Sequence, residues 1–142
     1  MSLGTAAAAF AAGFVAVVVF HQGLWAVLRA AGIAPNPAWN MAKVPPLGIP
    51  AVVSSAFWGG LWGVVLAWLL PIAAPAMGYW PAVIILGAVM TSMVALMVVA
   101  PIKGRPFAVG WNPKIWAFAL AVNAAWGLGT GLLFRLFGVH SG

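Results

Sequence analysis

The sequence predicts an all-α integral membrane protein with four transmembrane helices, built as two helical hairpins in parallel repeat. Three observations carry that prediction. The 142 residues contain no Asp or Glu, are 65% hydrophobic and have a mean hydropathy of +1.13. Soluble domains are about a quarter charged, and this chain is 4% charged. Four apolar runs are each long enough for a ~30 Å hydrocarbon core. Finally, the second and fourth runs share a Trp-Gly-x-x-x-Gly segment, at Trp58–Gly63 and Trp126–Gly131.

The first span covers about residues 6–28 and is closed by Arg29 and Gly32. Residues 1–5 lack the basic start of a secretory signal, so this run reads as an uncleaved span. The second span, about 50–70, has Pro50 suited to a first helical turn and Pro71 just past its end. The third, about 80–102, opens at Pro81. The fourth, about 113–137, is entered through Asn112-Pro113, where Asn can cap and Pro can take the first helical position. A barrel would need an alternating polarity that is absent, so lipid-exposed backbone must be helical. All 142 residues form one membrane domain.

Cation placement sets the expected orientation. Arg29 and Lys43 flank or occupy the first connection, and Lys103, Arg105 and Lys114 the third. Arg135 is alone on the other side, with His140 in the tail. Positive-inside bias puts loops 29–49 and 103–114 in the cytoplasm and both termini outside, periplasmic in a bacterial inner membrane. Trp25, Trp39, Trp111 and Trp116 fall near the inner interface, and Trp68, Tyr79 and Trp80 near the outer one, as belt residues do. The first loop, with four prolines between Pro35 and Pro46, is expected to lie irregularly on the inner surface.

The second and fourth spans align without gaps at an offset of 68. The alignment gives a ladder of mostly small residues every fourth position, Ser55, Gly59 and Gly63 over Asn123, Gly127 and Gly131. Residues four apart share a helix face, and glycine there lets backbones approach closely. The first and third spans align with Gly13 over Gly87. The expectation is a crossing of the second and fourth helices at Gly59/Gly63 and Gly127/Gly131, with Ser55 and Asn123 meeting across it.

Polar residues in a bilayer are costly, so each needs a reason. His21, Gln22, Ser54, Thr91, Ser92 and Asn123 would form a sparse polar track if they faced inward. His21 is the one group inside the spans that could serve as a haem or pigment ligand; the competing reading is a neutral imidazole hydrogen-bonded near the interface. Ser and Thr also bond back to their own helix carbonyls. Trp58, Trp62 and Trp126 fill space beside the glycines, and an indole N–H at that depth needs an acceptor.

The missing acids exclude carboxylate dyads, carboxylate-held Mg²⁺ or Ca²⁺, Glu-gated antiport and Ser-His-Asp chemistry within one chain. With two His on opposite sides and no Cys, a zinc centre is not expected. The cations sit between apolar runs rather than on one solvated face, which argues against nucleic acid. The expected role is a non-catalytic accessory subunit of a respiratory or photosynthetic membrane complex. The expected partners are the lipid bilayer and other membrane subunits or further copies of the chain. A small homo-oligomeric channel or carrier for a neutral solute or anion is the alternative, and a cofactor-binding anchor through His21 a lesser one.

Overall fold

The computed structural model describes residues 1–139, so His140 lies outside the described residues. Four long apolar helices dominate it: α1 Leu3–Ala30, α2 Ala51–Met77, α3 Tyr79–Ile102 and α4 Pro113–Leu136. At 1.5 Å per residue the shortest is about 36 Å long, enough to cross a bilayer core.

Local chemistry explains most of the ends. Ser2 caps α1 by accepting from the Thr5 N–H at 3.0 Å. Asn112 caps α4 by accepting from the Lys114 N–H at 3.0 Å, with Pro113 at the first helical position, as expected. Pro50 sits at the N-cap of α2 rather than inside its first turn.

The second helix departs from expectation at its far end. It does not stop at Leu70 but runs through Pro71 and Pro75 to Met77. Each proline removes one N–H from the helix ladder. An apolar surrounding leaves the chain no better way to satisfy the remaining backbone groups, so the helix continues. Gly78, at φ +92°, then makes the whole connection to α3. A side chain there would be strained.

The helices form a ring in which α1 packs on α2, α2 on α3, α3 on α4 and α4 on α1. The expected crossing of α2 with α4 is therefore corrected: they lie diagonally, and their glycines meet other partners. Gly59 and Gly63 pack on Gly13 of α1, and Gly127 packs on Gly87 of α3. A Cβ on Gly87 would lie 2.7 Å from the Gly127 Cα, and one on Gly63 would be 3.1 Å from the Gly13 Cα. The two glycine-lined pairs, α1 with α2 and α3 with α4, are each consecutive antiparallel helices, the closest packed in the bundle. Lipid supplies no hydrophobic drive between helices, so close backbone approach and hydrogen bonds hold the pairs.

The glycine contacts of the two helix pairs are alike in detail. Gly63 and Gly127 face corresponding positions: Gly63 meets the Ala9 carbonyl and the Gly13 Cα, and Gly127 meets the Val83 carbonyl and the Gly87 Cα. That is one turn away from the sequence alignment, which set Gly59 over Gly127. Trp62-Gly63 then lies over Trp126-Gly127, so a Trp-Gly pair is matched in either register.

Phe134, Leu66, Leu70 and Val83 are the largest fully buried apolar side chains. Val19, Phe57, Trp58, Trp68, Ile85 and Leu132 point outward and are exposed. This is the surface of a protein whose helices contact a lipid bilayer.

The end of the bundle that carries Arg29, Lys43, Lys103, Arg105 and Lys114 is hereafter the basic end. Its first loop is more ordered than expected. A two-strand hairpin, β1 Lys43–Val44 and β2 Ile49–Pro50, pairs antiparallel and leads into α2. Its second loop contains a left-handed turn in which Ala108, Val109, Gly110 and Trp111 all have positive φ. The Trp116 indole donates to the Ala108 carbonyl at 2.9 Å and stacks on Trp111 at 5.3 Å. These contacts hold a backbone shape that costs about 1–2 kcal/mol per non-glycine residue.

Candidate functional site

The expected polar track is divided between two places. On the α3–α4 side, the Asn123 amide donates to Ser92 Oγ at 2.9 Å, and Thr91 donates back to the Gly87 carbonyl of its own helix. Ser92 is fully buried and Thr91 nearly so. Asn123 thus meets Ser92, not Ser55, because α4 faces α3. Thr130, which no pattern in the sequence singles out, is fully buried and donates to the Trp126 carbonyl at 2.7 Å. Each of these side chains has at least one hydrogen-bond partner within the protein.

The rest of the track gathers at the basic end. His21, Gln22, Trp25, Asn36, Pro37, Asn40, Ala51, Val52 and Ser55 line a half-open pocket of about 170 Å³. Ser54, expected in the track, is not among the lining residues. The pocket lies between α1, the first loop and the start of α2.

The geometry begins in the backbone of α1, which widens to a π-helical turn at Val17–His21. The Gln22 N–H bonds the carbonyls of Val17 and Val19, bypassing Val18, its ordinary α-helical acceptor. The Val18 carbonyl instead accepts the Trp39 indole N–H at 2.8 Å. Trp39 holds a second bond, from its backbone N–H to Gln22 Oε1 at 2.8 Å. Those two bonds offset the cost of its φ of +50°, which non-glycine residues seldom adopt.

Further tethers fix the loop. The Trp25 indole donates to the Asn36 carbonyl at 2.8 Å, and Arg29 donates to the carbonyls of Ala34 and Pro35 at 3.2 and 2.7 Å. Arg29 thus uses backbone oxygens where no carboxylate exists. Asn40 accepts from Ala42 through its side chain and from Val52 through its carbonyl. The expected irregular surface loop is therefore a folded cover on α1.

This network decides the state of His21. Gln22 Oε1 faces the Trp39 N–H, so it is the oxygen, and the Gln22 nitrogen is the donor. That nitrogen lies 3.0 Å from His21 Nδ1. Nδ1 must then be the acceptor, and the imidazole proton sits on Nε2. A haem or pigment ligand acting through Nε2 needs the opposite tautomer, with Nδ1–H donating to a second group. Ligation through Nε2 would require the Gln22 amide to turn over and give up its bond to Trp39. Among the described residues no group of three metal-binding side chains is present.

Two aromatic sites complete the polar account. Trp126, buried at the centre of the bundle, donates from Nε1 to the Gly13 carbonyl at 3.0 Å. The sequence asks for an acceptor there but gives no sign that Gly13 supplies it. At the other end, Arg135 lies over the Tyr79 ring at 4.1 Å and the Trp80 ring at 5.4 Å. The Tyr79 hydroxyl donates to the Gly131 carbonyl. Aromatic faces take the place of the missing acid.

Compared with protein families, curated proteins and solved structures, the chain matches no family, no curated protein and no solved structure.

Proposed function

We propose that this chain is a non-catalytic subunit of a larger membrane assembly, a duplicated helical hairpin whose role is lateral packing. The observation that carries the reading is the use of polar groups inside the bundle. Asn123, Ser92, Thr91, Thr130 and Trp126 are all bonded within the protein, and among the described residues no buried side-chain nitrogen or oxygen lacks a partner. A conduction path needs polar groups left over for the solute. Here the interior is glycine contact and closed hydrogen bonds, which favours a scaffold over a channel or carrier.

The outer surface supports a lateral partner. Trp58 lies about two turns into α2, is 59% exposed and has no hydrogen-bond partner among the described residues. An indole N–H facing hydrocarbon is costly and is satisfied by an acceptor on a neighbouring subunit. In the membrane the basic end faces the cytoplasm by the positive-inside rule.

Purification from native membranes in mild detergent tests the reading. The expected result is co-purification with other membrane polypeptides and loss of that association in Trp58→Leu. A monodisperse chain free of any other subunit would contradict it.

A further inference from the structure

The pocket at the basic end has a chemistry that the packing role does not use. Its bonded polar atoms face the protein. Those left over are mostly donors, the His21 Nε2–H, the Asn40 amide nitrogen and the Ser55 hydroxyl, together with the Asn36 side-chain amide. The proton of His21 is on Nε2, because Gln22 is held by Trp39 with its nitrogen toward Nδ1. Nε2 has no protein partner among the described residues, yet no buried side-chain nitrogen there is unpaired, so it opens onto accessible space. The Ser55 hydroxyl and the Asn40 amide nitrogen likewise have no protein partner among the described residues, whereas Asn40 Oδ1 is taken by Ala42. No Lys, Arg or carboxylate lines the pocket.

A neutral, donor-rich pocket selects a neutral acceptor. A cation finds no negative charge, and an anion finds no positive one. At about 170 Å³ the space is smaller than the ~300–1,000 Å³ of drug-sized sites, so it fits a head group rather than a whole amphiphile. Trp25 stands beside His21, with ring centroids 6.0 Å apart, and offers a flat apolar wall. The pocket is lined by the first residues of α2, Ala51, Val52 and Ser55, near the basic end of the bundle.

We propose that this pocket binds the carbonyl oxygen of a neutral membrane-resident molecule, with His21 Nε2–H as the principal donor and Ser55 as a second. Two sources share that chemistry, a quinone ring and the ester of a phospholipid.

The test uses the full chain, labelled with ¹⁵N-histidine, in lipid nanodiscs, with His140→Ala leaving one imidazole. Three preparations separate the sources: diester lipid, diether lipid lacking ester carbonyls, and diether lipid with a short-chain ubiquinone. The expected spectrum shows His21 with its proton on Nε2 in every preparation. A shift of the Nε2 resonance between diester and diether lipid supports the site and assigns it to lipid. A shift on adding quinone to the diether nanodiscs supports the site and assigns it to quinone. A proton on Nδ1, or an Nε2 resonance identical in all three preparations, overturns the proposal.

Discussion

The Trp126 indole donates to the Gly13 carbonyl at 3.0 Å across 113 residues of sequence. It also lies where a Cβ on Gly59 would come within 3.2 Å of its nitrogen. One side chain thus ties α4 to α1 at the point where α1 and α2 are in backbone contact. Trp126→Phe keeps most of the ring and removes the donor. The expected loss is at least about 0.5–1.5 kcal/mol of stability, the range for one hydrogen bond, with a further cost for the space the smaller ring leaves. Unfolding in detergent–denaturant mixtures measures it, and a variant as stable as the wild type would contradict the tie.

The glycine contacts predict a graded response to single methyl groups. A Cβ on Gly13 would overlap the Gly59 carbonyl, and one on Gly87 would sit 2.7 Å from the Gly127 Cα. Both neighbours are backbone and cannot turn aside. Gly13→Ala and Gly87→Ala are expected to cost about 1–3 kcal/mol each. Gly23, also in α1, has open space where a methyl group would stand, with nothing within 4 Å. Gly23→Ala is expected to be neutral or slightly stabilising, because alanine is the better helix former. Thermal melting of the three variants side by side checks the order.

The Asn123–Ser92 pair predicts a coupling that Asn123–Ser55 lacks. A double-mutant cycle with Asn123→Ala and Ser92→Ala should give about 0.6 kcal/mol, the average for interhelical bonds in a membrane. The cycle with Ser55→Ala should give none, since Ser55 lies at the basic-end pocket. Equal coupling in both cycles would contradict the helix order.

Gln22→Glu should move the proton of His21. The introduced carboxylate offers oxygen to both neighbours, the Trp39 N–H and His21 Nδ1. Its second oxygen is satisfied only when Nδ1 carries a proton. Histidine ¹⁵N spectra of this variant are expected to show protonated Nδ1. An unchanged Nε2–H tautomer at a pH where the introduced carboxyl is ionised would show that Gln22 does not control the ring.

Much of this architecture can be read from the sequence, and the reason differs from part to part. Length and hydropathy locate four helices because a bilayer imposes both. The Asn112-Pro113 start is legible because capping is local. The end of α2 is not, since the proline rule that stops helices in water is relaxed where backbone groups have no water to turn to. The glycine ladder shows that backbones approach closely but not which ones. Gly59 and Gly63 would suit α4 as well as α1, and nothing in the residue types chooses between them. The His21 pocket is hidden for another reason. It depends on Trp39 folding back across 17 residues onto Gln22 and across 21 onto Val18. Nothing local in the loop announces the π-helical turn that exposes the Val18 carbonyl.

The order of helices around the ring is the central claim, and cysteine cross-linking tests it most directly because the chain has no cysteine of its own. A Cβ on Gly129 would lie 2.9 Å from the Phe20 Cβ, and one on Gly60 would lie 2.5 Å from the Phe10 ring. The double variants Phe20→Cys/Gly129→Cys and Phe10→Cys/Gly60→Cys are expected to cross-link in membranes under mild oxidation, joining α1 to α4 and α1 to α2. Ser55→Cys/Asn123→Cys, spanning the diagonal, should stay reduced. Ready cross-linking of Ser55→Cys/Asn123→Cys with neither of the other pairs would contradict the ring.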